Sequence, residues 1–133
     1  MNEPKTGEDW GRLAVSLPGW RWLPGMRWVV LSPEAEGRLH DTTEAAWWND
    51  PRTDVEGESV PDPDDPATEG CLARLLGPRV LIRVMPREAR RVIEIVIPSG
   101  MTADFPTVVR DEMLGRATIA AAAAIGRWPG GEG

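Results

Sequence analysis

The chain has no tyrosine, one phenylalanine, one histidine, one cysteine and one lysine. A single cysteine, Cys71, excludes an internal disulfide and a zinc centre built on cysteines. Lying among leucines, it reads as a small buried hydrophobe. The lone histidine, His40, has no second histidine with which to hold zinc. With Asp41 beside it, and Ser32 or Cys71 in principle as nucleophile, it could serve as a general base. No Gly-x-Ser-x-Gly elbow or other motif fixes such a geometry, so His40 is expected to be a surface or hydrogen-bonded structural residue. Gly-x-Gly-x-x-Gly and Gly-x-x-x-x-Gly-Lys-Ser/Thr are both missing, which leaves a nucleotide cofactor without support. The longest apolar stretch, Ala117 to Ile125, is too short to cross a bilayer. Residues 1 to 12 are polar and charged, unlike a signal peptide.

What is present is a chain of 133 residues, the length of one domain. Its 14 glycines and 13 prolines imply many turns. Fifteen basic residues stand against 21 acidic ones, a net charge of −6 that opposes phosphate backbones and anionic membranes at long range. The acidity belongs to residues 1 to 77, with 7 basic and 15 acidic side chains, whereas residues 78 to 133 carry 8 and 6. Any basic docking surface therefore has to come from the second part. Seven tryptophans are many for a core of this size.

The pattern predicts an α+β fold in a single small domain over residues 10 to 128, with a flexible arm (1 to 9) and a flexible tail (129 to 133). Trp10 to Leu17 reads as a short turn of helix. Pro24-Gly25 supplies the turn of an N-terminal β-hairpin whose arms run 19 to 23 and 26 to 31, with Trp20, Trp22 and Trp28 directed inward. Leu39 to Trp48 is either another strand or a brief helix capped by Thr43, and Asp50 to Asp65 reads as loop. Asp65 followed by Pro66, Leu72, Leu75 and Leu76 as an apolar stripe, and Gly77-Pro78 as a stop predict a helix over 66 to 76. Residues 80 to 84 and 92 to 97 read as a second hairpin, with Ile93, Ile95 and Ile97 inward. A long C-terminal helix is expected to begin near Pro106 and to pack on the antiparallel sheet through Val109, Met113, Ala117, Ala120 and Ala124.

Two segments, Gly19 to Met26 (GWRWLPGM) and Asp62 to Leu76 (with DPATEGCLARLL), resemble a group of small proteins encoded by bacteriophages and prophages. The resemblance extends over about 100 residues, the later strands and helix corresponding in order only. It implies a phage or prophage accessory protein of the host cytoplasm or the virion. No catalytic residue is implied.

Candidate chemistry follows from three clusters. Asp62, Asp64, Asp65 and Glu69 could chelate a cation, but the spacing is not that of a calcium loop and Pro61, Pro63 and Pro66 restrict convergence. Capping and a solvated acidic surface are expected instead, with no metal and no cofactor. Trp47 and Trp48, if extended, point to opposite faces and present one indole beside Asp50, Asp54, Glu56 and Glu58, a composition suited to a protein partner. Arg79, Arg83, Arg87, Arg90 and Arg91, with Arg110, form an alternative phosphate-binding surface. The expected function is non-enzymatic protein binding to a virion component or host factor. The alternatives are a nucleic-acid-associated regulator using the arginine hairpin and an enzyme of unrecognised type.

Overall fold

The computed structural model describes residues 4–31, 34–50, 59–87 and 90–131. Over these residues it is an α+β domain of four α-helices and two three-stranded antiparallel sheets. Helix α1 (Gly7–Ser16) opens on a capping box: the Thr6 hydroxyl accepts from the Asp9 amide, and the Asp9 carboxylate accepts from the Thr6 amide. Residues 7 to 9, expected in a flexible arm, are thus the first turn of this helix.

Residues 19 to 23 do not form the first arm of a hairpin. Strand β1 (Arg27–Leu31) pairs instead with β2 (Glu34–Arg38) and with the short β3 (Val60–Pro61). The Trp22 backbone finds its partners on a side chain. Its amide donates to Asn49 Oδ1 at 2.7 Å, and its carbonyl accepts from Asn49 Nδ2 at 2.8 Å. An amide side chain can satisfy a peptide unit as a neighbouring strand would.

Asn49 ends helix α2 (Thr42–Asn49), which selects the helical alternative for this segment, with Asp41 rather than Thr43 as N-cap. Helix α3 (Pro66–Leu76) has the predicted limits, with Asp65 at the N-cap and Gly77 at the C-cap. Thr68, Cys71, Leu72, Leu75 and Leu76 form its buried face.

The second hairpin is longer than expected. Strands β4 (Leu81–Arg87) and β5 (Arg90–Ile97) absorb most of the MPREARR connection, and Ile93, Ile95 and Ile97 are buried as predicted. The start of the C-terminal helix is corrected: Thr107–Asp111 is strand β6, paired with β5, and helix α4 begins only at Leu114 and runs to Ile125. Thr107, Val108 and Val109 are β-branched, which favours a pleated edge over a helix start. The packing face of α4 is consequently Gly115, Ala117, Thr118, Ile119, Ala121 and Ala122, while Ala124 is exposed. Residues 129 to 131, expected in a flexible tail, make a 3₁₀ turn against α3.

Helix α4 is central to the packing. Its small side chains let it contact α1 and α3 on one side and β5 and β6 on the other. The closest approach is at Gly115, where a Cβ would lie 1.8 Å from the Pro63 carbonyl oxygen. Gly115→Ala is therefore expected to lower stability by about 1–3 kcal/mol through backbone displacement. Gly70, in α3, has open space around it and offers the control. Gly70→Ala should raise stability by about 0.5–1 kcal/mol. Urea midpoints at constant slope measure both, and equal midpoints for the two variants would contradict the close approach.

Candidate protein-contact surface

Helix geometry decides the fate of the adjacent tryptophans. Successive residues of α2 point about 100° apart. Trp48 is half-buried, its ring 5.1 Å from Trp22 and 5.3 Å from Trp28. Trp47 is 57% exposed. Trp22 also meets Trp20 edge-on, and Trp20 meets Trp128, so five indoles form one continuous chain through the core. Of the acidic residues expected beside Trp47, Asp50 is half-buried; Asp54, Glu56 and Glu58 lie outside the described residues.

The acidic run ahead of α3 is spread among separate partners. Asp62 binds Arg27, which also bridges to Glu36, and Asp64 accepts from Arg116 at 2.9 and 3.1 Å. Asp65 accepts from Arg38 at 2.8 and 2.9 Å and from the Thr68 amide at 3.0 Å. Glu69 accepts from the Gly115 amide at 3.0 Å. The Arg38 guanidinium, aided by the Thr68 amide, outweighs burial and holds the Asp65 carboxyl at about 2. These carboxylates tie β1, β2 and α4 to the start of α3. Among the described residues, no group of three or more His, Cys, Asp or Glu side chains is placed to hold a metal ion.

The residues weighed for catalysis have separate surroundings where they are described. His40 is exposed, Asp41 is occupied with the Glu44 amide as a cap, and the buried Cys71 thiol donates to the Pro24 carbonyl at 3.4 Å. Ser32 lies outside the described residues.

Three arginines of the second sheet meet carboxylates. Arg83 and Arg110 both donate to Glu94, and Arg90 donates to Glu112. Burial pushes the Glu94 carboxyl up, but the two guanidiniums together pull it below its usual range. Arg79 and Arg91 are exposed, and the Arg87 side chain lies outside the described residues. Directly opposed residues share a face. The register therefore lays out the outer face of this sheet as rows: Leu81–Val96–Val108, then Arg83–Glu94–Arg110, then Met85–Val92. Arg91, opposite Pro86, belongs to the inner face. The predicted arginine patch is thus divided between faces, and its outer part is interrupted by apolar rows.

Sequence reasoning missed this pattern. Leu81, Val84, Phe105 and Val108 are 54%, 57%, 66% and 40% exposed, so among the described residues four of the five large exposed hydrophobics belong to the second sheet or the approach to β6. A glutamate inside an isoleucine-valine strand was the available signal. Its two arginine partners come from strands on either side, and the expected C-terminal helix overlaps β6. Comparison with protein-family models, curated proteins and solved structures found no match to this chain. No helix among the described residues is long and apolar enough to cross a membrane.

Proposed function

We propose that the protein is a non-enzymatic accessory protein that works by binding another protein, and that the second sheet carries the contact. The observation behind this reading is the apolar row Leu81–Val96–Val108 beside arginines already engaged by Glu94. A phosphate-binding groove requires a continuous basic surface along the backbone it neutralises, whereas here the Arg83–Glu94–Arg110 row carries a carboxylate at its centre and lies between apolar rows. Apolar rows bounded by charge suit a protein interface, with an apolar centre and a polar rim. Trp47 is an exposed large aromatic and adds a second anchor on α2. The resemblance of Gly19 to Met26 and Asp62 to Leu76 to phage and prophage proteins supports a phage-encoded origin. The partner is then a virion component or a host factor, met in the host cytoplasm or the virion.

Photo-crosslinking from positions 81 and 108 against phage and host proteins tests the reading. Leu81→Glu and Val108→Glu are expected to change stability by no more than about 0.5 kcal/mol and to weaken partner capture about tenfold or more. Trp47→Ala measures the contribution of α2. Salt-sensitive DNA binding lost on replacing Arg83 and Arg90, with capture unchanged in the sheet variants, would transfer the function to the nucleic-acid alternative.

A further inference from the structure

We infer that the open edge of β4 docks an extended segment of a partner protein, which joins the sheet as a fourth strand and carries a carboxylate between apolar residues. This deepens the protein-binding reading and rests on it. The first ground is the pattern of exposure. Leu81 and Val84 are 54% and 57% exposed, and an odd and an even position of one strand point to opposite faces. A layer laid on the outer face would cover Leu81 and leave Val84 in water. On the inner face, α4 contacts β5 and β6. A neighbour in the plane of the sheet covers both side chains at once.

The backbone agrees with this placement. β4 stands at the edge of the order β4-β5-β6. A proline within a sheet sits with its nitrogen toward the open side. By the alternation of the strand, the N–H and C=O groups of Ile82 and Val84 share the open side with the nitrogen of Pro86. Added strands gain affinity from such main-chain groups and specificity from alternate side chains. The other sheet offers less: β2 is the charged segment EAEGR, and β3 has two residues.

The chemistry of the occupant follows from the rows. β4 already recognises one strand, β5, by placing Leu81 opposite Val96, Ile82 opposite Ile95, Arg83 opposite Glu94, Val84 opposite Ile93 and Met85 opposite Val92. The complement of β4 is therefore apolar, apolar, acidic, apolar, apolar. On the open side, a carboxylate opposite Arg83 would extend the row to acid–Arg83–Glu94–Arg110, alternating in sign. The Arg83 side chain, 52% exposed, retains donors beyond the one given to Glu94. A second copy of the chain fits poorly, because β4 (LIRVMPR) has two arginines and no carboxylate to answer them.

The probe is an end-capped peptide with the sequence of residues 90–97, compared with one in which its glutamate is glutamine. Fluorescence anisotropy should show saturable binding of the first peptide to the full chain, weakened about three- to fivefold in the second. Val84→Lys, at a position already exposed, should retain the circular dichroism of the parent and weaken binding about tenfold or more. Hydrogen exchange should slow at the Ile82 and Val84 amides, which the added strand would engage. An unbound parent, or equal binding by Val84→Lys, overturns the edge assignment, and equal binding of the two peptides overturns the carboxylate. Dimerisation of the parent that Val84→Lys abolishes makes a second copy the occupant and overturns the proposal. A partner cross-linked from positions 81 and 108 and retained by Val84→Lys leaves the protein-binding reading standing without the edge.

Discussion

Replacing Trp128 with alanine is expected to lower stability by about 3–5 kcal/mol, the range for deleting a fully buried large aromatic. Its indole is wholly buried, and its N–H donates to the Ala14 carbonyl of α1 at 2.9 Å. The backbone amide of the same residue donates to the Pro18 carbonyl at 2.8 Å, and the ring meets Trp20 at 5.9 Å. One residue near the end of the chain therefore closes the core against segments more than a hundred positions earlier. Trp128→Phe keeps most of the burial and loses the N–H, so it should cost distinctly less, with about 1 kcal/mol assigned to the lost hydrogen bond, since the Ala14 carbonyl still accepts from the Leu17 amide at 3.4 Å. Denaturant unfolding followed by circular dichroism separates the two. A Trp128→Ala midpoint close to that of the parent would show that the indole chain does not hold the domain together.

Asp65 is expected to matter by two routes that pH can separate. Its side chain caps α3 through the Thr68 amide, worth about 1 kcal/mol. It also holds the two-pronged contact from Arg38. The folded-state carboxyl at about 2 lies below its unfolded value of 3.8. Stability from this group is thus fully present above about pH 4 and is lost as pH falls toward 2. The shift corresponds to about 2 kcal/mol, reduced to about 1–2 because Arg38 is partly exposed to solvent. Asp65→Asn retains a capping side chain and should cost about 1–2 kcal/mol at neutral pH; Asp65→Ala should cost about 2–3. The gap between parent and Asp65→Asn should close between pH 4 and 2. A gap constant over that interval would mean that the Arg38 contact contributes nothing to folding.

Local signals were legible where one short segment carried the whole decision. Asp65-Pro66, the leucine stripe and Gly77-Pro78 together specify α3 to the residue, since capping, φ restriction and termination act within one or two turns. The isoleucine alternation of β5 likewise sufficed to find its buried face. Other segments were decided by remote partners. Residues 20 to 23 have an extended pattern yet pair with no strand, because Asn49 satisfies Trp22 from α2. Thr107–Asp111 becomes a strand because β5 offers it an edge, although the alanine-rich run after it favours helix.

The candidate site divides in the same way. Adjacency of Trp47 and Trp48 on an extended strand predicts one exposed indole; the segment is instead helical, and which indole is exposed required α2 to be placed against Trp22 and Trp28. The arginines were visible as a group. Their pairing was not, because Arg83, Glu94 and Arg110 come from three strands and meet only through register. The sequence by itself determined the fold class, the limits of α3, the inward face of β5 and a charge balance unfavourable to phosphate, all consequences of local periodicity and composition. Tertiary structure alone decided that β4 is an edge with apolar side chains on both faces and that Glu94 takes up two arginines. Exposure and ion pairing depend on which strands become neighbours, and hydrogen bonding across a sheet is set by contacts distant in sequence.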